Sequence, residues 1–91
     1  MPTKEFEKQR YSAERMADLL VLLARENMTA VQLADHLNCT VRTVAKLCEL
    51  LNEQGIIYID RWVIETTARM NHLVPMYATD LQLIHVNAPK P

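Results

Sequence analysis

The sequence predicts an α+β fold that is mainly α-helical, in which three helices are followed by a two-stranded β-hairpin. Three segments begin with a helix-capping residue and carry apolar residues at helical spacing, and after Gly55 the pattern changes to that of strands. The 91 residues, 49% apolar and 23% charged, are ordinary for one globular domain. We expect this domain to span residues 12–80, between a polar N-terminal tail (1–11) and a C-terminal tail (81–91).

Each predicted helix begins at a Ser or Thr whose hydroxyl can accept a hydrogen bond from the first turn. These residues are Ser12, Thr29 and Thr40, and Gln32 stands where a capping box requires it after Thr29. An apolar residue precedes each cap and lies five positions before another, which is the spacing of a hydrophobic staple. The pairs are Tyr11 and Met16, Met28 and Leu33, and Cys39 and Val44.

Apolar residues on the first and third helices predict the core. The first helix carries Met16, Leu19, Leu20, Leu22 and Leu23, and the third carries Val44, Leu47, Cys48 and Leu51 at i, i+3, i+4, i+7 spacing. The third helix should end near Gln54, because Gly55 can take the left-handed conformation that closes a helix.

The residues after Gly55 predict a hairpin. Residues 56–64 are rich in β-branched and aromatic side chains and predict a strand, although both of its faces are mostly apolar and either could turn inward. Residues 65–72 are polar and predict a loop, and residues 73–78 predict a second strand. Pro75 requires that this strand lie at an edge or beside a bulge, because proline cannot donate to a ladder.

Composition excludes several classes of protein. A single glycine excludes the glycine-rich loops that bind nucleotide phosphates. The longest apolar run, residues 19–24, is too short to cross a membrane, and the first fifteen residues lack the apolar region of a secretory signal. We therefore expect a cytoplasmic protein whose two cysteines, Cys39 and Cys48, are reduced.

Metal binding and catalysis find little support in the sequence. His36, Cys39 and Cys48 offer three ligands, but structural zinc needs four, and both cysteines are expected in packing positions. The three histidines lie on different predicted elements and none has a neighbouring nucleophile and carboxylate. We expect no enzyme activity, no cofactor and no metal.

The stretch "LADHLNCTVRTVAKLCELLNEQGIIYI" resembles the helix-turn-helix of bacterial winged helix-turn-helix proteins, with a helix ending in Leu, a tight turn, a Thr cap and a Gly before a strand. The continuation "YIDRWVIETTARMNHLVPMYATD" resembles the wing of small bacteriophage and prophage members of that family. Asn38-Cys39 departs from the usual turn, although Asn tolerates a left-handed backbone and Cys is a small apolar residue.

The resemblance implies a sequence-specific DNA-binding transcriptional regulator whose third helix enters the major groove. Carried over position by position, the residues at the start of that helix that could contact double-stranded DNA are Thr40, Val41, Arg42, Thr43 and Lys46. Arg42 could bind guanine and Lys46 a phosphate, while a phosphate at the helix N-terminus would meet the N–H groups after Thr40. The alternative for the two basic residues is a solvated helix surface.

The wing would contact the adjacent backbone or minor groove. The candidates are Arg61, Arg69, Asn71 and His72. Arg61 could instead stack on Trp62 or pair within the hairpin, and Arg69 could serve solubility.

The charge balance limits how strongly one copy of the domain could bind DNA. Between residues 29 and 74, four basic residues face five acidic ones, so few phosphates can be neutralised. A homodimer would double the phosphate contacts, and we expect one, formed through the first helix or the C-terminal tail. Leu50, Leu81, Leu83 and Ile84 could form an apolar surface there, or the tail could instead fold over Leu50 within one chain. The alternative function is a winged-helix module that binds another protein without contacting DNA.

Overall fold

The computed structural model describes residues 4–66, 70–79 and 86–91, with side chains from residue 13 onward. Its elements are α1 (Lys4–Arg25), β1 (Met28–Thr29), α2 (Ala30–Leu37), α3 (Val41–Glu53), β2 (Tyr58–Thr66) and β3 (Asn71–Ala78). Three helices followed by an antiparallel sheet confirm the predicted winged helix-turn-helix fold. None of the helices in the described ranges is long and apolar enough to cross a membrane.

Helix α1 begins at Lys4, so the predicted start at Ser12 is wrong. The residues between Lys4 and Ser12 include Lys, Glu, Gln and Arg, whose straight side chains favour a helix, and neither glycine nor proline interrupts them. Helix propensity therefore continues through Ser12 although its hydroxyl could have capped a helix there. The proposed contact between Tyr11 and Met16 lies outside the described side chains.

The predicted starts of α2 and α3 are confirmed. Thr29 Oγ1 accepts a hydrogen bond from Gln32 N–H (3.3 Å), and Gln32 Oε1 accepts one from Thr29 N–H (3.0 Å), which completes the capping box. Thr40 Oγ1 accepts from Thr43 N–H (3.2 Å). Between the two helices Asn38 takes the left-handed conformation with φ 58°, as expected for the turn.

Helix α3 contributes the predicted apolar stripe to the core. Val44, Leu47, Cys48 and Leu51 are all buried. They pack with buried residues of α1 and α2, with Ile57 after α3 and with Tyr77 of β3, and Ile57 is 1% exposed. Ile57 and the partly buried Ile59 show which face of the first wing strand turns inward, a choice that the alternation alone left open.

Burial changes the chemistry of two core groups. Burial, and to a lesser extent the charge of Glu49, raises the pKa of the Cys48 thiol to about 12. Burial followed by the charges of Cys48 and Glu49 raises the pKa of Tyr77 to about 12. Both cysteines are free thiols, and Cys39 is partly exposed.

The sheet has three strands in the order β1-β3-β2, so it contains a strand that the sequence did not predict. β1 is only two residues long, pairing Met28 with Tyr77 and Thr29 with Met76. Two residues cannot display an alternating pattern, and Thr29 also caps α2. Pro75 comes just before the two residues of β3 that pair with β1. β3 is therefore unpaired on that side at the proline, which agrees with the prediction that Pro75 lies at an edge.

The wing hairpin is longer than predicted. β2 continues to Thr66 and β3 begins at Asn71, so residues 65, 66, 71 and 72 of the predicted loop are strand, which is all but one of its described residues. Glu65 pairs with His72, and Thr66 pairs with Asn71. Polar side chains are compatible with a ribbon that projects into solvent, because the ladder hydrogen bonds involve only backbone groups.

A β-bulge in β2 shapes the wing. Ile59 pairs with Tyr77 and Arg61 pairs with Met76, so Asp60 is an extra residue with no partner of its own. A bulge shifts the alternation of one strand by one position. As a result Ile59 and Trp62, three residues apart on β2, face the same side as Tyr77 and Pro75 on β3.

The C-terminal segment 86–91 lies along β2. Ala88 N–H donates to Ile59 O (2.8 Å), and Asn87 Oδ1 accepts from Ile59 N–H (2.8 Å). The amide of Asn87 also exchanges hydrogen bonds with the amide of Asn52 on α3, at 2.9 and 3.1 Å. These bonds tie the last residues of the chain to both the wing and the third helix.

We expect Gly55→Ala to lower the free energy of unfolding by about 1 kcal/mol, because a side chain strains the left-handed backbone. Gly55 has φ +74°, and a Cβ there would meet nothing within 4 Å, so strain is the whole effect. Urea unfolding measures it. Asn38→Gly is the matched control. Asn38 has the same left-handed conformation, and a glycine there removes a side chain, so the free energy of unfolding should stay unchanged or rise slightly. Equal losses in both variants would contradict this account.

We expect alkaline pH to destabilise the protein through Cys48. In the unfolded chain the thiol ionises near pH 9.0, whereas in the folded protein it ionises near 12. Between these values the folded state holds more protons, so the free energy of unfolding falls as pH rises, by at most about 1.4 kcal/mol per pH unit for one group. Urea unfolding between about pH 8 and 10.5 should show a shallower fall for Cys48→Ala than for the wild type. Val44→Ala, equally buried but without a titrating group, should keep the wild-type slope.

Candidate nucleic-acid interface

The N-terminus of α3 is exposed and organised by two threonines. The hydroxyl of Thr40 donates to Thr43 Oγ1 (2.9 Å) while its oxygen caps the helix. Thr40 is exposed and Thr43 is partly buried. Both hydroxyls are therefore engaged within the helix end, and their first role is to fix where α3 starts.

The outward surface of α3 is divided by charge along its length. Arg42 and Lys46 occupy the N-terminal half, and Glu49 and Glu53 occupy the C-terminal half; all four are exposed. Within the described part of the chain, neither Arg42 nor Lys46 makes an ion pair. At 3.6 residues per turn these positions lie opposite the buried stripe, so the two basic side chains extend into solvent.

Val41 borders this basic surface. It is 44% exposed and stands at the first position of α3. The structure thus brings together five predicted residues at one helix end: Thr40, Val41, Arg42, Thr43 and Lys46.

The predicted wing residues do not form one basic group. Arg61 pairs with its neighbour Asp60, with Nε 2.8 Å from Oδ2, so part of its charge is neutralised within the hairpin. Asn71 and His72 are exposed, and they lie on β3 and not in a loop. Arg69 lies outside the described residues.

A cleft of about 460 Å³ separates α3 from the wing. Val41 and Ala45 of α3 line one wall, and side chains of β2 and β3 line the other, namely Ile59, Trp62, Val74, Pro75 and Tyr77. Thr29, Ala30 and Val31 line the end near α2. The remaining lining residues are Glu49, Asn52, Glu53 and Glu65. We call this space the α3–wing cleft.

The C-terminal segment fixes one wall of the α3–wing cleft. Trp62 Nε1–H donates to Ala88 O (2.9 Å), which satisfies the indole and orients its ring. The ammonium of Lys90 lies 5.4 Å from the centroid of the same ring. Sequence reasoning missed Trp62 and the residues around it as a site, because their proximity to α3 depends on the bulge and on contacts distant in sequence. The one local signal was Val41, an apolar residue at the start of α3 that lies outside its buried stripe.

No group of three potential metal ligands lies together among the described residues. Cys39 Sγ donates to Leu37 O (3.3 Å), and Cys48 is buried in the core. His36, Cys39 and Cys48 therefore do not converge.

Comparison with known families identifies the fold independently. Residues 15–68, more than half of the chain, match the family described as HTH domain. Neither curated proteins nor solved structures provide a match. The matched range contains the helix-turn-helix and the strand β2, and this is a DNA-binding class of domain that is typically not enzymatic. The chain belongs to the HTH domain family.

Proposed function

We propose that the protein is a sequence-specific, dimeric DNA-binding transcriptional regulator whose α3 enters the major groove. The observation that carries this proposal is the pair Arg42 and Lys46 on the N-terminal half of α3, which are exposed and form no ion pair with any side chain that the structure describes. In a helix-turn-helix the second of the two helices presents its N-terminal residues to base edges. In this protein the N-terminal half of α3 is the half that carries the two basic residues.

The individual contacts follow from side-chain chemistry. Arg42 can bind guanine O6 and N7 with two hydrogen bonds, and the methyl groups of Val41 can contact a thymine methyl. Lys46, one turn further along, suits a phosphate. The free N–H groups of the first turn suit another phosphate, because the end of a helix carries partial positive charge. Thr40 and Thr43 hold this end in place.

The wing has a smaller part in the proposed complex. Asn71 and His72 are exposed toward the end of the hairpin and can contact the adjacent backbone or minor groove, together with Arg69. Arg61 contributes less, because Asp60 neutralises part of its charge. Most of the affinity should therefore come from α3.

A protein-binding module is the second candidate, and the acidic half of α3 favours it. Glu49 and Glu53 follow directly after the basic pair, and Glu65 adds a third carboxylate across the α3–wing cleft. Acidic side chains repel phosphates, so an interface that used all of α3 would suit a protein better than DNA.

We expect the protein to bind a random-sequence duplex with an affinity that falls steeply with salt, and Arg42→Ala/Lys46→Ala to bind more weakly. Fluorescence anisotropy between about 50 and 200 mM salt measures both. Because a dimer carries two copies of each side chain, the slope of log K against log salt should fall by about 2 if only Lys46 contacts a phosphate and by about 4 if both residues do.

The matched control is Arg15→Ala/Lys90→Ala, which removes the same charge from exposed positions that lie outside α3 and more than one helical turn from Val21. This variant should keep the wild-type slope. If the folded wild type fails to bind at about 50 mM salt, the DNA proposal is wrong and the protein-binding candidate replaces it.

We expect the protein to sediment at twice the mass of one chain, because the phosphate contacts of one copy are too few for firm binding. The α1 surface is the proposed interface, where Val21 is 56% exposed. Val21→Glu should shift sedimentation equilibrium toward the monomer. Ile64→Glu, which places the same charge on an apolar residue of the wing that is 69% exposed, should leave the dimer intact. A monomeric wild type at high concentration would exclude the dimer.

A further inference from the structure

The α3–wing cleft has a role that the proposed DNA contacts do not use. We propose that it binds a small organic cation with an apolar body. The chemical class of the ligand follows from three features of the cleft: its volume, the charge of its lining residues and its aromatic side chains.

The volume suits a small molecule. At about 460 Å³ the cleft falls within the range of roughly 300–1,000 Å³ that is typical of small-ligand sites. Apolar side chains from α3 and from both wing strands form its two walls, so a ligand can bury apolar surface on both sides. The bulge at Asp60 creates this arrangement, because it brings Ile59 and Trp62 onto one face.

The charge of the cleft selects a cation. Three of its lining residues are carboxylates, Glu49, Glu53 and Glu65, and none of the described residues that line it is Lys, Arg or His. A DNA phosphate would be repelled from such a surface, so the cleft does not suit the nucleic-acid backbone. An ammonium or other organic cation meets opposite charge from α3 and from β2 at the same time.

The aromatic lining favours the same class of ligand. The indole of Trp62 already has the ammonium of Lys90 5.4 Å from its centroid, which is within cation–π distance. Its N–H is bonded to Ala88, so the ring is held in one orientation as part of the cleft wall, and an organic cation would compete with Lys90 where both approach the ring. Tyr77 lies on the neighbouring strand, opposite Ile59.

A basic segment of another protein would share the positive charge, but the volume of about 460 Å³ matches that of a small-ligand site, so we favour the small molecule. If the proposed function is correct, a bound cation also neutralises carboxylates beside the DNA-contacting half of α3. Occupancy should then strengthen DNA binding. This consequence rests on the proposed function, whereas binding in the cleft does not.

Trp62 is the only tryptophan of the chain, so its fluorescence reports directly on the cleft. The probes are tetraphenylphosphonium and tetraphenylborate, which share shape and apolar surface and differ in the sign of their charge. We expect the phosphonium to change the fluorescence saturably and to bind at least about ten-fold more tightly than the borate, since three carboxylate residues line the cleft. Equal affinities would overturn the proposed charge selection, and no saturable binding of the phosphonium would overturn the site.

The variant Glu49→Gln/Glu53→Gln keeps the shape of the cleft and removes two charges. It should weaken phosphonium binding by about three- to thirty-fold, the range for two partly solvated charge pairs. The control Asp18→Asn/Glu26→Gln removes two carboxylates from exposed positions outside the cleft, one on α1 and one directly after it. This variant should bind the phosphonium as tightly as the wild type does. Equal weakening in both variants would assign the effect to net charge and overturn the site.

Anisotropy with the duplex, repeated at saturating phosphonium, tests the link to DNA. Tighter DNA binding in the wild type and no change in Glu49→Gln/Glu53→Gln supports the link. Fluorescence binding without any change in DNA affinity retains the cleft site and removes the link. Failure of DNA binding itself leaves the fluorescence result intact, so the two proposals are separable. A basic peptide of Lys and Leu that outcompetes the phosphonium would overturn the small-molecule assignment in favour of a protein segment.

Discussion

The burial of one face of α3 is the constraint on which the rest of the structure depends. Val44, Leu47, Cys48 and Leu51 are enclosed by α1, α2, Ile57 and Tyr77, so α3 cannot rotate without exposing apolar surface. This fixes every other side chain of the helix. Arg42 and Lys46 must point into solvent, while Val41 and Ala45 must face the wing. The candidate DNA surface and the wall of the cleft are therefore two consequences of one packing arrangement.

The wing is held in place by backbone pairing to β1 and by side-chain amides that connect it to α3. β1 joins the start of α2 to β3, and the C-terminal segment joins β2 to Asn52 of α3. The hydrogen bonds of Asn87 and Ala88 act where Ile59 would otherwise have unpaired backbone groups at the edge of the sheet. Because the wing is attached at these several points and not only where β2 follows α3, both walls of the α3–wing cleft are fixed.

Charge is separated along α3, and the separation assigns different chemistry to its two ends. The basic residues come first, near the positive end of the helix, where a phosphate is favoured. The acidic residues come last and border an apolar space. A net charge of −1 for the whole chain conceals this division, because the two halves nearly cancel. The local distribution, not the total, is what bears on DNA binding and on a cationic ligand.

The sequence by itself determined the helix starts at Thr29 and Thr40, the turn at Asn38, the end of α3 at Gly55 and the buried stripe of α3. Each of these depends on hydrogen bonds or apolar spacing within a few residues, which local chemistry specifies. It failed at Ser12, where propensity on both sides continued the helix. Only the tertiary structure decided the strand β1, the length of the hairpin, the bulge at Asp60, the docking of Asn87 and hence the cleft, because these depend on partners distant along the chain. Asn52 and Asn87 are 35 residues apart, and the paired residues Met28 and Tyr77 are farther apart still.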